Sequence, residues 1–572
     1  MKTQRIVRIL LLMVGFLQGC NQSETSETNL QEASKSFEEQ KYQESLIYLK
    51  KALKSKPSDP EIRKRLGEVW LKLGDPNACI EHLKKAQDLR MPDNEVTLSL
   101  AQCYFYKKDF EQLDALDFSE NMLEVSNRDY AILSAYKAQA ALVKNESSKA
   151  YDHLQRAELL MAEEPMVLLS KAQWLIYEKQ FQEALHLLDK VTAQSPNNAQ
   201  AWGLKGDLYR FQQKTSKAEE AYTKALQNPV NKLDQINYFL YRSLVRIYLN
   251  KLDQAQEDIV KLQKLKAQHH GLHYVNGLLA LAKKDFPQAI QNFQKVLEQD
   301  ENFIYTHYFI GLTHVLTKNY HSARDHLIRF TRARPSHVLG QKMLGFVELQ
   351  LQDYNHAKSR LEKVKELNQK DSDVYHMLGQ IYIKEGDIEQ GANYLSKAQT
   401  LEPKNAEMTL KLGIAQMDLG NTYAASGAFD QVLSQIPNHK DTLLLKFINE
   451  FKAKHYPAAM ELAKTYTQTH PKDPLGFNLQ GMVYVAKNQT QQADDAFHAA
   501  LKLAPHDPNA HTHLAMLSLK KRDVTQAIAH YKKILERHQH TLSMLKLAKI
   551  YLKETRDESE AVKLLELAIK SQ

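Results

Sequence analysis

Very little in this chain would break a helix. Glycine (19) and proline (16) are scarce across 572 residues, which excludes collagen-like and long low-complexity segments. Three cysteines are too few for a disulfide framework. Charge of neither sign dominates, with 76 Lys and Arg against 68 Asp and Glu. The charges are scattered, where nucleic-acid binding calls for a concentrated basic stripe, so no nucleic-acid partner is expected. The motifs G-x-x-x-x-G-K-S/T, G-x-G-x-x-G, H-E-x-x-H, C-x-x-C and G-x-S-x-G are all missing. Their absence leaves no phosphate loop, zinc helix or nucleophile elbow, so the sequence reads as no enzyme, with no catalytic residue and no cofactor.

What is present is a period. Ser372 to Asn405 reads Tyr375-x-x-Leu378-Gly379-x-x-Tyr382, then Gly386-Asp387, Gly391, Leu395, Ala398 and Pro403. The same pattern returns 34 residues later at Thr409, Leu412, Gly413, Gly420, Ala425, Phe429, Val432 and Pro437. Unit starts fall at 26, 60, 94, 131, 165, 199, 236, 270, 304, 338, 372, 406, 440, 474, 508 and 542, with two 37-residue steps near 121–130 and 227–235. Each first half (helix A) carries a small residue, such as Gly67, Gly206, Gly277, Gly345 or Gly481. Each second half (helix B) carries another, from Ser45 and Cys79 through Ala289, Ala357, Gly391 and Ala425 to Ala561. Four residues later a bulky side chain follows on the same face, as at Tyr222, Phe293, Leu361, Phe429 and Phe497. The unit from 94 is the poorest, because Glu111 to Phe118 lacks the small contact residue. Lys563, Glu566 and Lys570 give the last helix a solvated cap.

This pattern resembles the tetratricopeptide repeat. The resemblance implies an all-α fold, a right-handed superhelical solenoid of about 16 helix-turn-helix repeats, and a binding module in place of an enzyme. It also places certain helix A residues on the concave face. Transferred position by position, these are Leu278 and Leu281, Leu312 and Val315, Phe346 and Leu349, Ile414 and Met417, Met482 and Val485, Met516 and Leu519. Such side chains suit an apolar groove for a protein partner, as a helix or an extended peptide. The same side chains can instead pack between neighbouring helices. Gln380 and Ile383, the equivalent pair in the best-formed copy, are more polar, so partner contact is expected beside them at Phe346, Ile414 and Met417.

The N-terminus carries an address. Lys2, Arg5 and Arg8 precede a short apolar core, Ile9 to Phe16, which is too short to span a bilayer. It ends at Leu17-Gln18-Gly19-Cys20, which resembles a bacterial lipobox, although Gln18 departs from its usual small residue. The resemblance implies lipidation at Cys20 and a membrane partner through that anchor. Asn21 then favours the outer membrane, facing the periplasm. Cleavage would remove three of the formal +8 charges. The expected organisation is a signal peptide (1–19), a lipidated Cys and tether (20–25), a first array (26–235) and a second (236–572).

Further along, Tyr42-x-x-Ser45, Lys51-Ala52-Leu53, Arg65-Leu66-Gly67-Glu68-Val69-Trp70-Leu71-Lys72-Leu73-Gly74-Asp75 and Glu81-His82-Leu83-Lys84-Lys85-Ala86 look like the tetratricopeptide lipoproteins of exosortase (PEP-CTERM) and exopolysaccharide systems. That resemblance implies an envelope scaffold for exopolysaccharide biosynthesis or export, or for PEP-CTERM protein sorting. Related alternatives are an adaptor in outer-membrane protein assembly or secretion, and a regulatory or substrate-binding subunit of a glycosyltransferase.

Histidine is plentiful, at 23. His269, His270 and His273 cluster, His307 and His314 share a helical face, and His511 and His513 do not. None of these spacings forms a three- or four-ligand metal set, so no metal is expected. Cys79 takes a small buried position, where a packed thiol is the default. A disulfide with Cys103 is permitted in an exported chain.

Overall fold

The computed structural model describes residues 26–118, 125–265, 270–537 and 540–570. Cys20 and the leader therefore lie outside the described residues, as does His269. Among the described residues there is no strand: 32 α-helices follow one another in A, B order, with one π-helical turn at Tyr551–Thr555. The fold is an all-α solenoid of tetratricopeptide type.

The unit Ser372–Lys384 and Ile388–Leu401 shows how sequence sets the hairpin. The Asp371 carboxylate accepts the Val374 N–H and caps the inner helix. Gly386, at φ +92°, reverses the chain, and the Asp387 carboxylate accepts the Gln390 N–H to start the outer helix. Elsewhere this turn position holds a side chain in the same left-handed conformation, as at Lys284, Lys318, Gln352, Lys454, Asn488 and Arg522.

Between the two helices, the small residue of one meets the bulky residue of the other. A Cβ on Gly413 would lie 2.6 Å from the Phe429 ring, one on Gly277 2.5 Å from Phe293, and one on Gly481 2.4 Å from Phe497. These rings are fully buried. Each unit thus closes by a ring set on a bare backbone, and its outer face then packs on the next inner helix.

Two compact units arise, 1–313 and 314–572. The expected seam at 235/236 does not coincide with this division, and residue 236 lies inside the helix Lys232–Tyr248. The three extra residues of each 37-residue step lengthen an inner helix at its N-terminus. Both Asn127–Val143 and Lys232–Tyr248 run to 17 residues, capped by Ser126 and Asn231. In the unit that starts at 94 the second helix, Phe110–Ala115, has six residues.

Within the first unit the chain meets itself over a long sequence distance. Lys72 Nζ donates to the Val230 carbonyl at 3.0 Å, and the Tyr106 hydroxyl donates to Asp234 Oδ2 at 2.7 Å. A Cβ on Gly74 would stand 3.2 Å from Leu233. Nearby, Arg242 and Arg246 clamp Asp258, whose side chain is wholly buried, at 2.6 and 2.8 Å. Cys79 and Cys103 form a disulfide between the helices Pro76–Asp88 and Asp93–Lys107, with Cα atoms 6.3 Å apart. This corrects the packed-thiol expectation. Cys79 does fill the small buried position, but the next inner helix brings Cys103 against it.

In the second unit, helices with substantial mutual contact lie within two of each other along the chain. Its arrangement is one-dimensional in the sense of repeat arrays.

Candidate functional groove in the second unit

The inner helices Val338–Gln350, Ser372–Lys384 and Ala406–Asp418 lie side by side. Together they line a hollow of about 410 Å³, in which Leu349, Ile383 and Ile414 supply the apolar wall. Gln350, Gln380, Lys384, Lys411 and Asp418 surround it, and Tyr354 and Leu395 reach it from the outer helices.

The cause of the hollow is a pair of substitutions in the best-formed repeat. Gln380 stands where the preceding unit has Phe346, so one large ring is missing. Gly391 stands where most units have Ala, and a Cβ there would lie 2.5 Å from Ile383 Cγ1. Ile383 therefore leans onto the outer helix. The Gln380 amide turns aside to donate to His376 Nε2 at 2.8 Å, and burial lowers the pKa of that imidazole.

The residues expected to form a groove divide into three groups. Leu349 and Ile414 line the hollow. Leu278, Leu281, Phe346, Met482 and Leu519 are drawn into packing. Leu278 is buried beside Phe293 and Ile310, Phe346 meets Tyr320 edge-on at 6.2 Å, and Leu519 packs on the cluster around Tyr531. Leu312, Val315 and Met417 are half-buried, while Val485 and Met516 are 37% and 50% exposed. Gln380 and Ile383, the equivalent pair in the Ser372–Asn405 copy, line the hollow as well. The available signal was Gly391 in place of Ala.

No group of three or more His, Cys, Asp or Glu suited to a metal occurs among the described residues. The histidines are held by packing and hydrogen bonds. His513 stacks on Phe497 at 4.8 Å, and His511 and His530 are hydrogen-bonded through Nδ1 atoms 3.0 Å apart. Burial and the neighbouring His511 push His530 down to about 4. No helix among the described residues is long and apolar enough to cross a membrane.

Three stretches of the chain match known repeat families. Residues 107–254 match a family described as tetratricopeptide repeat-like domain, and residues 478–540 one described as tetratricopeptide repeat. Residues 249–446 match the tetratricopeptide repeat protein 21 C-terminal ARM domain. Among curated proteins none matches the chain. Among solved structures, MamA (41 to its end) from Desulfovibrio magneticus RS-1 is 27% identical, covering 29% of this chain and 93% of that one, with a TM-score of 0.26. Pseudomonas aeruginosa pilF is 22% identical over 35% of this chain and 92% of its own, with a TM-score of 0.28. Yeast Tom70 is 14% identical over 71% and 96%, with a TM-score of 0.29. Residues 107–446 and 478–540 thus match models of tetratricopeptide type, a repeat whose arrays serve in other proteins as protein-interaction scaffolds.

Proposed function

We propose that this chain is a non-enzymatic scaffold of the bacterial cell envelope that captures a protein partner in the groove of its second unit. The observation that carries the reading is the hollow at Leu349, Ile383 and Ile414, an apolar recess spanning three successive inner helices. A single leucine- or phenylalanine-sized side chain seated there would contribute about 1.5–3 kcal/mol. The work done is binding, with no covalent step.

The address rests on the leader and on Cys20, which would carry the lipid at the outer membrane, facing the periplasm. The Cys79–Cys103 disulfide supports export, since such bonds persist in oxidising compartments. A role in exopolysaccharide biosynthesis or export, or in PEP-CTERM protein sorting, rests on the lipoprotein resemblance across residues 42–86.

A photo-crosslinking residue placed at 383 or 414 in intact cells should trap one partner, and the same residue at outer-helix position 393 should not. Ile414→Asp should abolish capture without loss of helicity by circular dichroism. Gly391→Ala should weaken it by pushing Ile383 into the hollow. Equal trapping from 393 overturns the groove. Cys20→Ser should release the chain into the soluble envelope fraction, and a chain that stays on the membrane overturns the anchor.

A further inference from the structure

The hollow has an apolar wall at Leu349, Ile383 and Ile414, and the two ends of the inner helices around it carry mostly opposite charge. Inner helices cross it side by side, so their first turns make one rim and their last turns the other. On the first rim stand Asp373, Glu407 and Asp441, with Lys440 the exception, paired to Asp473 at 2.8 Å. On the second stand Lys384, Lys452 and Lys520, each closing its helix, with Asp418 the exception. A full side-chain charge exceeds the half charge of a helix end, so each rim keeps its side-chain sign.

These charges are available. Lys384, Lys452 and Asp441 are exposed and make no ion pair among the described residues. Lys520 bonds the Asn488 amide oxygen at 3.2 Å. Asp373 pairs with Lys342 at 3.0 Å and Glu407 with Lys411 at 3.5 Å, but these carboxylates remain 59% and 73% exposed. Exposed pairs of this kind are held weakly and exchange readily for an incoming partner.

We infer that the occupant is an amphipathic helix whose apolar stripe is bordered by basic residues on one side and acidic residues on the other, and that the rims fix its direction along the groove. This deepens the groove reading and rests on it. Basic residues of the occupant meet the rim of Asp373, Glu407 and Asp441. Its acidic residues meet the rim of Lys384, Lys452 and Lys520. Turning the helix end for end exchanges its flanks and sets like charges against each other on both sides.

The test uses the full chain and three synthetic helical peptides that share one Leu/Ile stripe and differ in their flanks: mixed, all acidic or all basic. Fluorescence anisotropy at low salt should give the mixed peptide roughly five- to tenfold tighter binding than either of the others. High salt should erase that preference. Lys384→Glu with Lys452→Glu, both at exposed positions, should shift the preference to the all-basic peptide. A photo-crosslinker at the N-terminus of the mixed peptide should mark one end of the 338–473 stretch, and exchanging the flanks should move the mark to the other end. Equal affinity of the three peptides, or marking of both ends, overturns rim sorting and leaves the groove standing. Binding of none of them overturns the groove itself.

Discussion

From Ser26 to Thr313 the chain returns to itself. Lys72 and Tyr106, from the second and third repeats, hold the start of the seventh at Val230 and Asp234. From His314 onward, helices touch near neighbours along the chain, and the groove offers a recess at Ile383. Both regions use the same repeat, yet the first binds its repeats together with buried charge and the second leaves a hollow on its inner face. The difference comes from small changes. An inner helix lengthened to 17 residues by an added first turn carries Asp234 into the first unit's closure. A Gly391 in place of Ala opens the second unit's hollow. Cooperativity should therefore differ as well: nearest-neighbour coupling in the second unit, and coupling across five repeats in the first.

The largest expected effect comes from breaking the buried charge cluster. Asp258 accepts from Arg242 at 2.9 and 2.6 Å and from Arg246 at 2.8 Å, with no exposed side-chain surface. Asp258→Ala leaves the buried Arg242 guanidinium without its counter-charge, while Arg246 keeps Glu219 at 3.0 Å, a change that costs about 3–5 kcal/mol. Hydrogen exchange should show protection lost across 199–265 and also in the helix Pro60–Leu73, with the second unit unchanged. Loss confined to 232–264 would mean that the closure does not couple distant repeats.

Asp234 tests the closure more gently. Burial raises its pKa to about 6 from an ordinary 3.8, against the opposing pull of the Tyr106 hydroxyl and the Lys72 charge. A carboxyl whose folded pKa is raised contributes stability that is complete below its unfolded pKa. That contribution is lost as pH rises through the folded value. The closure should thus weaken between about pH 4 and pH 6, by about 2 kcal/mol. Asp234→Asn should flatten this slope, because a neutral amide still accepts the Tyr106 hydroxyl. Protection of 60–73 and 232–248, corrected for intrinsic exchange, reads it out directly. An unchanged slope in the variant would assign the pH dependence to another group.

How far the sequence reveals all this depends on the distance over which each interaction acts. Hairpins, small-to-bulky contacts and repeat starts are local, and Gly413 with Phe429 announces itself within one period. The short helix at Phe110–Ala115 is equally visible as a missing small residue. The groove is half legible. Periodicity places Leu349 and Ile414 on the inner face, yet it cannot distinguish them from Phe346 or Leu278, which the same spacing marks and neighbouring rings absorb. The Tyr106–Asp234 bond spans 128 residues with no motif to signal it. Nor does spacing alone decide that Cys79 and Cys103 meet.

The smallest effect compares the two regions with one substitution. Lys179 in the first unit and Lys454 in the second occupy the same hairpin position, at φ +63° and +61°. Gly386 and Gly420 occupy it at φ +92° and +75°. A lysine in this conformation is strained by about 1–2 kcal/mol, while glycine there raises the entropy lost on folding, so Lys→Gly should gain about 0.5–1 kcal/mol net. Asn488→Gly should gain almost nothing, since asparagine tolerates the left-handed region. Where the gain spreads is the informative result. With nearest-neighbour coupling, Lys454→Gly should slow exchange in the repeats flanking it and no further. If the first unit is joined by its closure, Lys179→Gly should slow exchange as far away as 60–73 and 232–248. Equal, local gains from both would reduce the closure at Asp234 to a contact that holds two helices and transmits nothing.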